Sequence, residues 1–248
     1  MKIPAARSLL WLSAAPAAAF LYGIASALSP GVGRPVPRPA ASPREAPGAG
    51  GYRVLALGDS LTRGRGDPGG GGYVGAVARE LGRAHPGLRL DNLGIDGLET
   101  AGLLEMIDQP NVRRLAREAS LILVSIGGND LAHVLEGRRA GQIPEAVASA
   151  RQRARANLAA ILQALRRENP SATIRVLTLY DPFFASAAGA DVVLDWNAMI
   201  ARDAVGAGAT PIPLFDLFEG HPERLAADHF HPNPRGYGLI GRRILDSL

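Results

Sequence analysis

Five short aliphatic runs, at 53–57, 88–93, 121–126, 173–180 and 210–215, each give way to a glycine-, proline- or polar-rich stretch. Runs this short and this rich in Val, Ile and Leu read as strands. They are nearly all apolar rather than alternating, the pattern of strands covered on both faces, and the stretches between them have room for crossover helices. The predicted fold class is therefore α/β, a parallel sheet between two helical layers. Residues 73–84 carry Val74, Val77, Ala78 and Leu81 at helical spacing, and 101–119 hold one or two helices broken near Pro110. The longest helix is expected over 144–168. There Val147, Ala150, Ala154, Leu158, Ile161, Leu162 and Leu165 form an apolar stripe with the arginines largely outside it, and Asn169-Pro170 ends it.

The first fifty residues differ in kind. Lys2 and Arg7 precede an uncharged stretch whose apolar core spans 9–28, the layout of an export signal, and Ala25-Ser26-Ala27 has the small-x-small form of a cleavage site. An apolar stretch of about 20 residues is also long enough to cross a bilayer at 1.5 Å per residue. Residues 1–28 are thus expected to be a cleaved signal peptide or an uncleaved membrane anchor, and in either case the rest of the chain lies outside the cytosol. Residues 29–51 are rich in Pro, Gly and Ala, a composition suited to a tether. A single domain is expected over 52–248, with no internal repeat.

Composition removes several function classes. The chain has no cysteine, which excludes disulfides, thiolate metal sites and a cysteine nucleophile. The net charge of +4 comes from scattered arginines offset by 23 acidic residues, without a basic block or interleaved aromatics, so nucleic acid is not an expected partner.

In an open parallel sheet ligands bind beyond the carboxyl ends of the strands. The first run ends in Gly58-Asp59-Ser60-Leu61, the second in Asn92-Leu93-Gly94-Ile95-Asp96-Gly97 and the third in Gly127-Gly128-Asn129-Asp130. Asp228-His229-Phe230-His231-Pro232-Asn233 follows the last run and precedes a closing helix, where a loop can reach back over the same edge.

These four clusters resemble, in order and separation, the four sequence blocks of the GDSL/SGNH hydrolases, a resemblance covering roughly 54–245. It implies a three-layer α/β/α sandwich around a flavodoxin-like five-stranded parallel sheet. It also implies an ester hydrolase that needs no cofactor. By the same resemblance Ser60 is the nucleophile, Asp228 and His231 are the Asp-x-x-His pair, and Ser60, Gly97 and Asn129 form the oxyanion hole. Within the family the chain is most similar to bacterial secreted esterases and lysophospholipase-like lipases, through GDSLTRG, GGGGYV, LTLYDPF and HPNPRGY. Asp181 departs from the pattern, since related sequences often carry Asn before that proline.

The chemistry fits the residue types. A serine hydroxyl needs a base to become a nucleophile, and an imidazole, with an ordinary pKa of about 6.5, can take its proton and return it to the leaving alcohol. Asp228 would fix the tautomer of His231 and stabilise its charged form, while the N–H groups of Ser60 and Gly97 and the amide of Asn129 would face the carbonyl oxygen. Asp59 and Asp130 are expected to brace turns rather than react. His221 and His229 stand near Asp228 and His231 in sequence, but no metal site is expected. His85 should end a helix, and His133 falls either in the cleft or on a helix surface. The glycines of 64–72 lack the ending of a phosphate loop and are expected to form a mobile rim of the site. Tyr180, Phe183 and Phe184 are candidate pocket residues. The substrate is expected to be a lipid or short-chain acyl ester. Polysaccharide O-acetyl groups and thioesters are open to the same machinery, and a non-catalytic binding module is the reading from another class.

Overall fold

The computed structural model describes residues 51–135, 142–182 and 187–248. The leader, nearly all of the tether, and Phe183 and Phe184 lie outside the described residues. Strands β1 (Arg53–Gly58), β2 (Arg89–Gly94), β3 (Leu121–Ser125), β4 (Thr173–Leu177) and β5 (Thr210–Ile212) form one parallel sheet in the order β2-β1-β3-β4-β5. β1 and β3 are neighbours, paired from Val54 opposite Leu121 to Gly58 opposite Ser125. The chain leaves β1 for one edge and β3 for the other, so the crevice of this fold opens between these two strand ends.

The described helices are α1 (Ser60–Arg63), α2 (Gly72–Ala84), α3 (Thr100–Ile107), α4 (Pro110–Glu118), α5 (Gly128–Leu135), α6 (Ile143–Glu168), α7 (Ala187–Gly206), α8 (Phe215–Phe218) and α9 (Pro234–Leu245). Alternate strand residues divide the core. Leu55, Leu57, Ile122 and Val124 face α3 to α7, with Trp196 of α7 fully buried among them. Val54, Ala56, Leu121 and Leu123 face α2, α8 and α9 through Tyr73, Val77, Phe218 and Ile240. This is the predicted three-layer α/β/α sandwich.

Local chemistry sets the element ends. Pro110 occupies the first turn of α4, where its missing N–H has no helical partner to lose, so the expected single or double helix is two. Asn169 ends α6 and donates from Nδ2 to the carbonyls of Ala116, Arg117 and Ala119 at 2.9–3.0 Å, closing the end of α4 as well.

Two expectations are corrected. The second run was expected to be covered on both faces, yet β2 is an edge strand with Arg89, Leu90 and Asn92 exposed. Its polar residues serve that edge: Asp91 accepts from Arg53 at 3.2 Å. The fourth and fifth runs leave the sheet early, at Leu177 and Ile212. From Thr178 onward the chain turns over the carboxyl edge and becomes a wall of the site.

Candidate active site

The site begins with a sharp exit from β1. Gly58 has φ +146°, and a Cβ there would lie 2.0 Å from the Ser125 carbonyl oxygen, so only glycine lets β1 leave this close to β3. Asp59 then caps α1 by accepting from the Leu61 N–H at 3.0 Å, and Ser60 stands at the first position of the helix. The α1 backbone passes so close to the end of β2 that a Cβ on Gly94 would lie 2.3 Å from the Arg63 nitrogen. Ser60 is thereby held on a shelf made by three strand ends.

His231 reaches the shelf from the loop before α9. Its Nε2 lies 2.9 Å from Ser60 Oγ, and its Nδ1 lies 2.6 Å from Asp228 Oδ2. The other Asp228 oxygen accepts from the N–H groups of Phe230 and His231 at 3.0 and 2.9 Å. His229, at φ +55°, turns the loop through the left-handed region. Burial alone would raise the Asp228 carboxyl, but the His231 imidazole and the two N–H groups outweigh it and hold it down at about 2. The loop is tied on every side. Ala226 N–H donates to the His231 carbonyl at 2.8 Å, Tyr180 Oη donates to the Phe230 carbonyl at 2.8 Å, and a Cβ on Gly66 would lie 3.0 Å from His231 Cβ.

Besides Ser60, the expected oxyanion residues sit in the turn after β2 and in the first turn of α5. Gly97, at φ +75°, lies in the turn closed by Leu98 N–H and the Ile95 carbonyl at 3.2 Å. Asn129 opens α5 and donates one amide hydrogen to the Leu98 carbonyl at 2.8 Å, which leaves its second hydrogen for another acceptor. The backbone N–H groups of Ser60 and Gly97 donate to no other group among the described residues. The clasp between the turn after β2 and α5 continues beyond Asn129. Asp130 accepts from Thr100 N–H and Oγ1 at 3.0 and 2.5 Å, and His133 Nδ1 meets Glu99 at 2.5 Å.

A cavity of about 390 Å³ opens on these groups. Ser60, Asn129, His231 and Tyr180 line it, as does Asp181, which is only 8% exposed; Gly97 is not among its lining residues. Sequence reasoning missed Ser125 and Thr178, both buried at strand ends facing the cavity. Ser125 was legible only as part of a strand, yet its Oγ donates to Asp59 at 3.3 Å. Asp59 itself braces the turn as expected, and burial pushes its carboxyl up to about 7 against the hydrogen bonds it accepts.

The remaining histidines stand apart from the site. His85 caps α2 and stacks on Tyr52, His221 pairs with Glu223 at 2.9 Å, and His133 lies on the Glu99 clasp rather than in the cavity. Among the described residues no three His, Asp or Glu side chains gather as metal ligands. Hydrogen bonds anchor the glycine-rich rim over 64–72. Tyr237 Oη donates to the Arg65 carbonyl at 2.6 Å, Asp67 accepts from Gly72 N–H at 3.1 Å, and only residues 68–70 stand exposed.

Sheet order, helical layers and a strand-end crevice define a three-layer α/β/α hydrolase. Residues 56–239 match the GDSL-like Lipase/Acylhydrolase family, and the chain belongs to it. It is 30% identical over 205 residues to uncharacterized protein YpmR of Bacillus subtilis, covering 79% of this chain and 80% of that protein. It is 26% identical to spore germination lipase LipC of Bacillus licheniformis, over 77% of this chain and 94% of that protein. Among solved structures, lipase Lip_vut3 from a goat rumen metagenome shares the fold at a TM-score of 0.73 and 24% identity, covering 79% of this chain and 97% of that one. The chain is a carboxylic-ester hydrolase.

Proposed function

We propose that this hydrolase works through an acyl-enzyme on Ser60. The observation that carries the reading is the unbroken relay from Ser60 Oγ to His231 Nε2 at 2.9 Å and from His231 Nδ1 to Asp228 at 2.6 Å. As Oγ bonds the carbonyl carbon, its proton passes to Nε2. The oxyanion takes hydrogen bonds from the N–H groups of Ser60 and Gly97 and the free amide hydrogen of Asn129. Collapse of the adduct breaks the ester C–O bond, and His231 returns the proton to the departing alkoxide. Water then attacks the acyl-serine with His231 again as base, releasing the carboxylic acid and restoring Ser60. Asp228, ionised throughout the neutral range, keeps the Nδ1 proton in place and stabilises the imidazolium.

The test is hydrolysis of p-nitrophenyl acetate and butyrate by the full chain in EDTA, beside Ser60→Ala. Activity should persist in EDTA and fall by about 10⁴-fold or more in the variant. A fluorophosphonate should label Ser60 in the wild type. Undiminished turnover by Ser60→Ala, or loss of activity to the chelator, overturns the reading. The leader, with Lys2 and Arg7 before an apolar core, supports work outside the cytosol, and fractionation that finds the enzyme in the cytosol rejects it.

A further inference from the structure

The cavity beside Ser60 is lined by two chemically different sets of residues. Its polar groups are those of Ser60, Asn129 and His231, where the reaction would occur, with Asp59, Ser125, Thr178, Tyr180 and Asp181. The rest of the lining is predominantly apolar, with Leu131 of α5, Val147 of α6, Leu179 after β4, Val192 and Val193 of α7, and Phe230, whose ring meets the His231 ring edge-on at 5.0 Å. Val147, Val192, Val193 and Leu179 are half-buried and packed on the core cluster, so the wall is continuous with the interior of the domain. A sugar hydroxyl placed against these side chains would lose its water partners and find none in return. An alkyl chain loses nothing there and is removed from water.

Resting on the acyl-enzyme reading above, we propose that this apolar wall forms an acyl-chain pocket that makes the enzyme selective for medium-chain acyl esters over acetyl esters. The size sets the length. At a share of about 30 Å³ for each water-sized group, 390 Å³ holds on the order of a dozen. The ester group takes up part of that, which leaves space for a chain of about eight to ten carbons. The acyl side is favoured over the alcohol side because the acyl group stays on Ser60 through both half-reactions, so a pocket opening on Ser60 serves both. Selectivity should follow from burial, with each methylene that enters raising kcat/KM by about three- to fourfold.

The experiment measures kcat/KM of the full chain for p-nitrophenyl acetate, butyrate, octanoate, decanoate and palmitate, kept below micelle formation, and for ethyl, octyl and decyl acetates. The p-nitrophenyl series should climb to a maximum near eight to ten carbons and stop climbing beyond it, while the alkyl acetates stay within about threefold of one another. Val147→Trp and Val193→Trp, each filling the pocket from a different helix, should lower the octanoate-to-acetate ratio at least tenfold. The ratio is read because a partly unfolded sample lowers both rates together. A flat or acetate-favouring profile in an enzyme whose Ser60 still reacts with a fluorophosphonate overturns the pocket and leaves the acyl-enzyme reading standing. A climb confined to the alkyl acetates overturns it too, since the chain would then sit on the alcohol side. If no ester is hydrolysed, the acyl-enzyme reading fails, and calorimetry of 1-decanol with Ser60→Ala decides the pocket separately. Saturable binding weakened tenfold by adding Val193→Trp supports it, and its absence overturns it.

Discussion

The relay is assembled from two regions built by opposite means, and the carboxylate of each shows the difference. The strand-end shelf is made by the sheet. Asp59 stands there next to Ser60, buried and only 7% exposed, and it accepts from a backbone N–H and a serine hydroxyl, with no cation among the described residues paired to it. The loop before α9 is made by side chains folding back on their own backbone. Asp228 there accepts from two N–H groups and the imidazole. One carboxyl is pushed up to about 7 and the other held at about 2, with Ser60 and His231 between them. Proximity to the nucleophile therefore does not confer a role. The partners of each carboxylate decide whether it stabilises a turn or a developing positive charge.

The largest expected effect tests the loop. Asp228→Asn can still accept from the Phe230 and His231 N–H groups through its carbonyl oxygen but no longer holds the imidazole in the reactive tautomer. A fall in kcat/KM of about 10³- to 10⁴-fold with the fold retained is expected by circular dichroism and steady-state kinetics. A loss under tenfold would show that His231 needs no orienting carboxylate. On the shelf, Asn129→Ala removes the amide that faces the cavity and also frees the Leu98 carbonyl at 2.8 Å. A fall in kcat of about 10²- to 10³-fold is expected, with KM changing far less.

The two carboxylates also predict opposite responses of stability to pH. The folded value of Asp59 lies above its unfolded value of 3.8, so its contribution is fully present below about pH 4 and is lost as pH rises through about 7. Asp59→Asn keeps an acceptor for Leu61 N–H and removes that titration. It should be more stable than wild type at pH 8, by at most about 4 kcal/mol, and the gap should close toward pH 4 in urea unfolding. Asp228 runs the other way. Its contribution, present above 3.8, is lost as pH falls through about 2, and partial exposure discounts it to about 1 kcal/mol. Identical pH profiles for wild type and Asp59→Asn would remove the contrast between the regions.

How much of this was legible depended on whether the information is local. Gly58-Asp59-Ser60 and Asp228-x-x-His231 are contiguous stretches whose chemistry can be read in place, and aliphatic runs ending in glycine-polar clusters revealed which edge of the sheet carries the site. The edge position of β2 was also written locally, in Arg89, Asp91 and Asn92, although the run was read as buried. The helix Ala187–Gly206 was not named, because alanines and glycines blur its stripe. It buries Trp196, Met199 and Ile200 and contacts α6, β4 and β5, so its identity comes from packing. The cavity valines Val192 and Val193 went unseen with it. Tyr180 was read as pocket lining, and it does line the cavity, but its bond to Phe230 joins residues 50 apart in sequence. No local pattern marks such a bond.

That bond offers the finest division between the two regions, since Tyr180 follows the sheet and Phe230 belongs to the loop. The Tyr180 ring lies 4.4 Å from the Phe218 ring, while its hydroxyl carries the tether. Tyr180→Phe keeps the ring contact and deletes only the hydrogen bond, leaving the Phe230 carbonyl without that donor. The penalty should be about 1 kcal/mol, seen as a drop of about 2–4 °C in Tm and a three- to tenfold fall in kcat/KM. If the loop's own bonds, from Asp228 to the two N–H groups and from Ala226 to the His231 carbonyl, suffice to position the imidazole, the loss of activity should stay at that level. A fall as large as that of Asp228→Asn would mean that the sheet positions His231 through Tyr180, and that the loop does not hold its own half of the relay.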